Sequence, residues 1–83
     1  MKLNIYSLKQ VLYHGDAAAV NCKTAAGEIT VLDHHRPLIS VLPAGVLKVT
    51  DTNQKEQYIQ IASGFLEVQE ANEMRMLVEE KNM

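Results

Sequence analysis

The sequence predicts an all-β domain, a small antiparallel β-sandwich of short strands with no substantial helix. Three observations predict it. Short runs alternate apolar and polar residues with a period of two, as in Tyr58-Ile59-Gln60-Ile61 and Phe65-Leu66-Glu67-Val68-Gln69. Turn-forming residues separate seven or more such runs at intervals of roughly 8–12 residues, the spacing of sandwiches and barrels. Nowhere does an apolar stripe recur with the period of a long amphipathic helix.

Leu3-Asn4-Ile5-Tyr6-Ser7 alternates and reads as the first strand. Val11-Leu12-Tyr13 is a second apolar run, ended by His14-Gly15-Asp16 as a turn; a helix over Ser7 to Tyr13 is the alternative, but would span under two turns. Ala17 to Lys23 pulls both ways. Its three alanines favour helix, whereas the shared parity of Val20 and Cys22 and the bracketing Gly15 and Gly27 favour strand, the reading adopted. The stretch from Gly27 to Leu42 organises the chain as strand, tight corner, strand. Ile29, Val31 and Leu32 suit a half-buried strand, Asp33-His34-His35-Arg36 is too polar for a core, and Pro37 holds the corner extended before Leu38, Ile39, Val41 and Leu42. Pro43-Ala44-Gly45 breaks the pattern. Val46 to Thr50 is the next strand, and Asp51-Thr52-Asn53-Gln54 carries the turn chemistry of side chains that bond their own backbone. Glu56 to Ala62 follows, Ser63-Gly64 punctuates, and Phe65 to Gln69 resumes. After a turn at Glu70-Ala71-Asn72-Glu73, residues Met74, Met76 and Val78 share the last apolar face; residues 79–83 are expected to fray.

At 83 residues the chain is expected to form one domain, 1–83, with a small core whose stability a partner would raise. A hydrophobic fraction of 47% argues against disorder, and a weakly acidic net charge of -2 does not suggest a nucleic-acid partner. No apolar run is long enough to span a membrane, and the start lacks a signal-peptide pattern. Cys22 is the single cysteine, so no internal disulfide forms.

The chemistry-bearing residues assemble into no catalytic constellation. His34 and His35 would point to opposite faces of a strand and rarely reach one ion, and His14 and Cys22 match no zinc spacing. Ser40 and Ser63 are nucleophile candidates only by residue type, and Ser63-Gly64 lacks the flanks of a nucleophile elbow. No glycine-rich phosphate loop is present. Glu28 and Glu67 read more simply as solvated carboxylates than as an acid/base pair. Tyr6, Tyr13, Tyr58 and Phe65 are too few for a single-strand nucleic-acid platform, and Met74 and Met76 read as core. The residues therefore favour a structural or binding role over an enzyme, with no cofactor and no metal.

Four motifs in order carry a resemblance. Gly27-Glu28-Ile29, His35-Arg36-Pro37-Leu38-Ile39, Gly45-Val46-Leu47 and Ser63-Gly64-Phe65-Leu66-Glu67-Val68 resemble the epsilon subunit of the F-type ATP synthase. The sequence departs from that family's pattern at Thr30, at Asp33-His34 and at Ser63, where the family writes glycine, Pro-Gly and a second glycine. Most members continue into a carboxy-terminal helical hairpin that carries inhibition of hydrolysis and nucleotide binding, so neither is carried over to the 83 residues in hand. The resemblance implies a non-catalytic rotor domain binding the gamma subunit and the c-ring. It would lie at the cytoplasmic face of the cell inner membrane, or an equivalent coupling membrane, as a peripheral protein that touches the membrane only through the complex, and would couple proton flow to ATP synthesis. Its implied gamma interface includes Ser7, His35 and Ser40, with Leu38 and Ile39 supplying apolar area; its implied c-ring interface is Ala26, Gly27, Glu28 and Ile29. A coupling element needs a rigid body with two interfaces and no active site, which a sandwich supplies. The rival reading is a free-standing β-sandwich interaction module with another partner; a weaker third is a metal-dependent enzyme using His34 or His35.

Overall fold

The computed structural model of the protein describes residues 1–81. It contains seven strands: β1 (Lys2–Tyr6), β2 (Val11–Thr24), β3 (Gly27–Leu32), β4 (Leu38–Leu42), β5 (Gly45–Asp51), β6 (Glu56–Gln69) and β7 (Glu73–Glu80). The expected all-β class holds among the described residues. Asn82 and Met83, part of the end expected to fray, lie outside them, while Glu79 and Glu80 are in β7.

Two of the expected chain breaks are absent. β2 and β6 each run for 14 residues, straight through His14-Gly15-Asp16 and Ser63-Gly64. Each long strand serves both layers of the sandwich. Residues 11–16 of β2 pair with β1, whereas residues 17–24 pair with β3 and β5. Residues 56–61 of β6 pair with β5, whereas residues 64–68 pair with β4 and β7. The first sheet is thus ordered β4-β6-β7-β1-β2 and the second β3-β2-β5-β6. The pairings shift register between Ala17 and Ala19 and between Ile61 and Ser63. A bulge there bends the strand and lets it pass from one sheet to the other.

Each bulge also inverts the pleat. In β6 the buried side chains are Ile59 and Ile61 before it, and Leu66 and Val68 after it; in β2 they are Ala17 before it, and Val20 and Cys22 after it. Across the sandwich these meet Leu3 and Ile5 of β1, Leu47 and Val49 of β5, and Met74, Met76 and Val78 of β7. The methionines expected in the core are there. Fully burying a Leu- or Ile-sized side chain contributes about 1.5–3 kcal/mol, so this continuous cluster dominates the stability.

The turns follow the side-chain chemistry. Asp51 Oδ1 accepts from the backbone N–H of Asn53 (2.8 Å) and Lys55 (2.9 Å), closing the β5–β6 turn with Gln54 at φ 64°. Thr24 Oγ1 donates to the Gly27 carbonyl (2.8 Å) and accepts from the Ala26 N–H (3.1 Å), closing the β2–β3 turn. Gly27 sits at φ 123°, a conformation side chains disfavour. The corner 33–37 docks on the β6–β7 turn, where the His34 N–H reaches Asn72 Oδ1 (2.8 Å) and Asn72 Nδ2 reaches Asp33 (3.3 Å). The Met1 ammonium donates to the Asp33 carboxylate and to the Ala17 carbonyl, at 2.5 and 3.0 Å. That donation, followed by the Asn72 bond, holds the Asp33 carboxyl below the usual carboxylate range. The polar corner is thus a tie between strands.

Candidate functional site

The outer faces of the two sheets differ in kind. The second sheet is covered by short polar links. Asn21 Nδ2 donates to Thr30 Oγ1 (2.9 Å), Lys48 pairs with Glu56 (3.2 Å), and the Tyr58 hydroxyl donates to Glu56 (3.0 Å).

The outer face of the first sheet carries an apolar row across its five strands. Val41 stands opposite Phe65, Phe65 opposite Leu77, Leu77 beside Tyr6, and Tyr6 opposite Val11. Neighbouring strands lie about 4.8 Å apart, so the row is roughly 19 Å long. Phe65 is 57% exposed and Ile39, one step along β4, is 74% exposed. Leu8, in the loop beyond β1, is 99% exposed and lines a groove of about 450 Å³ with Lys9, Phe65, Leu77 and Glu79. The next row is Ile39, Glu67, Arg75, Asn4 and His14, and the one after it includes Gln69, Glu73, Lys2 and Asp16. The face therefore grades from apolar at one end to charged at the other. A contiguous exposed apolar patch with a polar border marks an interaction surface.

Within the second row Arg75 Nη2 donates to Glu67 Oε1 at 2.8 Å. This bond is the main reason the Glu67 carboxyl titrates below, and the Arg75 guanidinium above, its ordinary value. Both groups stay substantially exposed, so in the isolated domain the pair contributes little to stability.

The structure separates the sequence-based candidates. Ser7 lies in the β1–β2 loop, where its Oγ accepts from the Lys9 and Gln10 N–H groups (3.2 and 3.3 Å) and reaches Glu80 (3.3 Å). His35 is half-buried in the opposite corner, its Nδ1 facing the Arg36 carbonyl at 2.7 Å. The two lie at opposite ends of the strands, Ser7 just past Tyr6 at the apolar end and His35 before β4 at the charged end. Leu38 and Ser40 are half-buried on the inward side of β4, with Leu38 packed on the core. The outward residues of β4 are Ile39 and Val41. Ala26, Gly27 and Glu28 are exposed at the β2–β3 turn, whereas Ile29 packs on the core. Phe65, Leu77, Tyr6 and Val11 escaped the sequence reading, although Phe65 and Leu77 take the opposite parity to the core residues Leu66, Val68, Met76 and Val78.

His34 and His35 contribute backbone and corner bonds, and among the described residues no three His, Cys, Asp or Glu side chains converge on a metal position. Burial, reinforced by Glu28, pushes the Cys22 thiol up to about 11. Alkylation of folded protein by iodoacetamide at pH 8, followed by mass spectrometry, is therefore expected to be at least about a hundredfold slower than after denaturation, because less than about 1% of the thiol is ionised. Equal rates in the two states would show that Cys22 is accessible.

A family model described as "ATP synthase, Delta/Epsilon chain, beta-sandwich domain" matches residues 1–81. Proteins named ATP synthase epsilon chain from Acinetobacter baumannii (strain SDF) and Psychrobacter arcticus are each 35% identical over 69 residues, covering 83% of this chain and 50% of theirs. The chain thus spans about half the length of the curated relatives it matches. The fold also matches a chain of the Euglena gracilis mitochondrial ATP synthase structure, OSCP/F1/c-ring in rotational state 1, with TM-score 0.90 and 23% identity over 96% of this chain and 51% of that one. A chain of the Tetrahymena thermophila mitochondrial ATP synthase central stalk and c-ring structure matches with TM-score 0.82 and 16% identity, covering 96% and 63%. At those identities the structural likeness concerns the fold, and it agrees with the sequence match over nearly the whole chain: the protein belongs to the ATP synthase delta/epsilon-chain β-sandwich domain family.

Proposed function

We propose that the chain acts as the β-sandwich domain of a non-catalytic central-stalk rotor subunit in a proton-translocating F-type ATP synthase, linking the gamma subunit to the c-ring and coupling ion flow to ATP synthesis. It is held at the cytoplasmic face of the coupling membrane through the complex. The observation that carries this reading is the apolar row Val41-Phe65-Leu77-Tyr6-Val11, a surface built for a protein partner on a domain of this family. Gamma docks on that face, with Ile39 in the part that the sequence assigned to it and Val41 in place of Leu38, and Ser7 and His35 at its margins. The exposed β2–β3 turn at Ala26, Gly27 and Glu28 meets the c-ring. The test is affinity purification of the tagged chain from detergent-solubilised membranes. Gamma and c subunits should co-purify in fixed ratio; capture of other proteins without rotor subunits would support a free-standing module instead.

The c-ring contact makes a separate prediction. Glu28 projects from the end of the sandwich, and by the family resemblance it meets cationic loops. Exposed ion pairs are weak, so Glu28→Gln should pump nearly as many protons per ATP as the parent. Glu28→Lys sets like charges against each other and should lower pumping per ATP about two- to fivefold at low salt. ATP-driven acidification of reconstituted vesicles, normalised to ATPase rate, measures this. Unchanged pumping by Glu28→Lys would remove Glu28 from the ring contact.

A further inference from the structure

On the outer face of the first sheet, Tyr6, Ile39, Phe65, Glu67, Arg75 and Leu77 surround a depression of about 280 Å³. Its rim is apolar along one row through Phe65 and Leu77, and along the next row Ile39 stands beside the charged Glu67–Arg75 pair. Arg75 sits in the middle strand of this sheet, one row from the exposed Phe65, so a partner covering the apolar row also covers the guanidinium. A guanidinium carries five N–H donors, and one hydrogen bond goes to Glu67 Oε1. Removing the others from water without acceptors is costly, and the acceptor that best matches the fork is a carboxylate.

Building on the gamma-docking reading above, we infer that this depression receives an acidic side chain of the gamma subunit, and that Arg75 is the residue that selects it. The apolar row supplies buried area, and Arg75 supplies orientation. Glu67, on the same rim, engages Nη2 and holds the guanidinium in place, and the partner's carboxylate takes donors that this bond leaves free. A neutral or basic gamma residue at that position would leave the Arg75 donors not used by Glu67 buried without acceptors, so Arg75 discriminates against a mismatched gamma subunit.

The test measures binding of the whole chain to the gamma subunit from the same cells by titration calorimetry, for the parent, Arg75→Gln, Arg75→Lys, Glu67→Gln and Phe65→Asp, each first shown to melt cooperatively. Arg75→Gln should weaken binding about tenfold or more, Arg75→Lys less, and Glu67→Gln least. An Asp→Asn or Glu→Gln scan of the gamma surface should find one carboxylate whose loss no longer matters once Arg75 is Gln. Phe65→Asp separates the two readings. If it abolishes binding and Arg75→Gln binds like the parent, the face is the dock and the Arg75 inference is wrong. If Phe65→Asp also binds like the parent, gamma docks elsewhere and both fall. Should Phe65→Asp fail to fold, Leu77→Asp takes its place.

Discussion

Gly64→Ala should lower the melting temperature of the domain by roughly 5–15 °C, the largest stability effect expected of any one-methyl change here. Gly64 lies in β6 between Leu42 of β4 and Val78 of β7, just after the bulge where β6 changes sheets. A Cβ built there would stand 2.8 Å from the Leu77 carbonyl oxygen and 2.9 Å from Val78 Cγ1. The first is backbone, pinned by the β6–β7 ladder, so relief requires the two strands to separate and their hydrogen bonds to lengthen. Overpacking of this kind costs about 1–3 kcal/mol. Gly45→Ala is the control, because its Cβ would meet only Lys23 Cδ at 3.8 Å. That variant should match or slightly exceed the parent, since alanine restricts the unfolded chain more than glycine does. Thermal melts by circular dichroism decide it. A Gly64→Ala protein melting within about 2 °C of the parent would mean that β7 yields at little cost.

Phe65→Asp should leave the fold nearly intact and reduce affinity for gamma by roughly 30- to 1000-fold. The side chain is 57% exposed and points away from the core. Its loss from the sheet removes cross-strand contacts with Val41 and Leu77 worth about 0.2–1 kcal/mol. At an interface the accounting differs. A central aromatic is typical of the few residues that dominate binding, each worth about 2–4 kcal/mol on truncation, and aspartate adds the cost of desolvating a carboxylate. A cooperative melt close to the parent's, together with lost co-purification of gamma, is the expected pair of results. Retained gamma binding would move the dock off this face.

The fold class, the turn chemistry and much of the inward-facing set are legible in the order of residues. Alternation of Met74, Met76 and Val78, or the Asx turn at Asp51, depends on neighbours two to four residues away, and such short-range rules read directly from the chain. The Gly-Glu, Pro-Leu and Gly-Phe-Leu-Glu-Val motifs likewise carried the family. Tertiary structure alone decided the rest. His14-Gly15-Asp16 and Ser63-Gly64 resemble strand ends because the apolar alternation loses its phase at the nearby bulges after Ala17 and Ile61, where the strands cross between sheets. The direction in which β4 faces, with Leu38 inward and Ile39 and Val41 outward, was set by its pairing with Val68, Glu67 and Phe65. The apolar row unites side chains from five strands between residues 6 and 77, brought level only by the registers of β2 with β1, β1 with β7, and β7 and β4 with β6. A register shift of one residue would turn each of those side chains into the core, so the exposed apolar row is a property of the pairing, which no local stretch of sequence encodes.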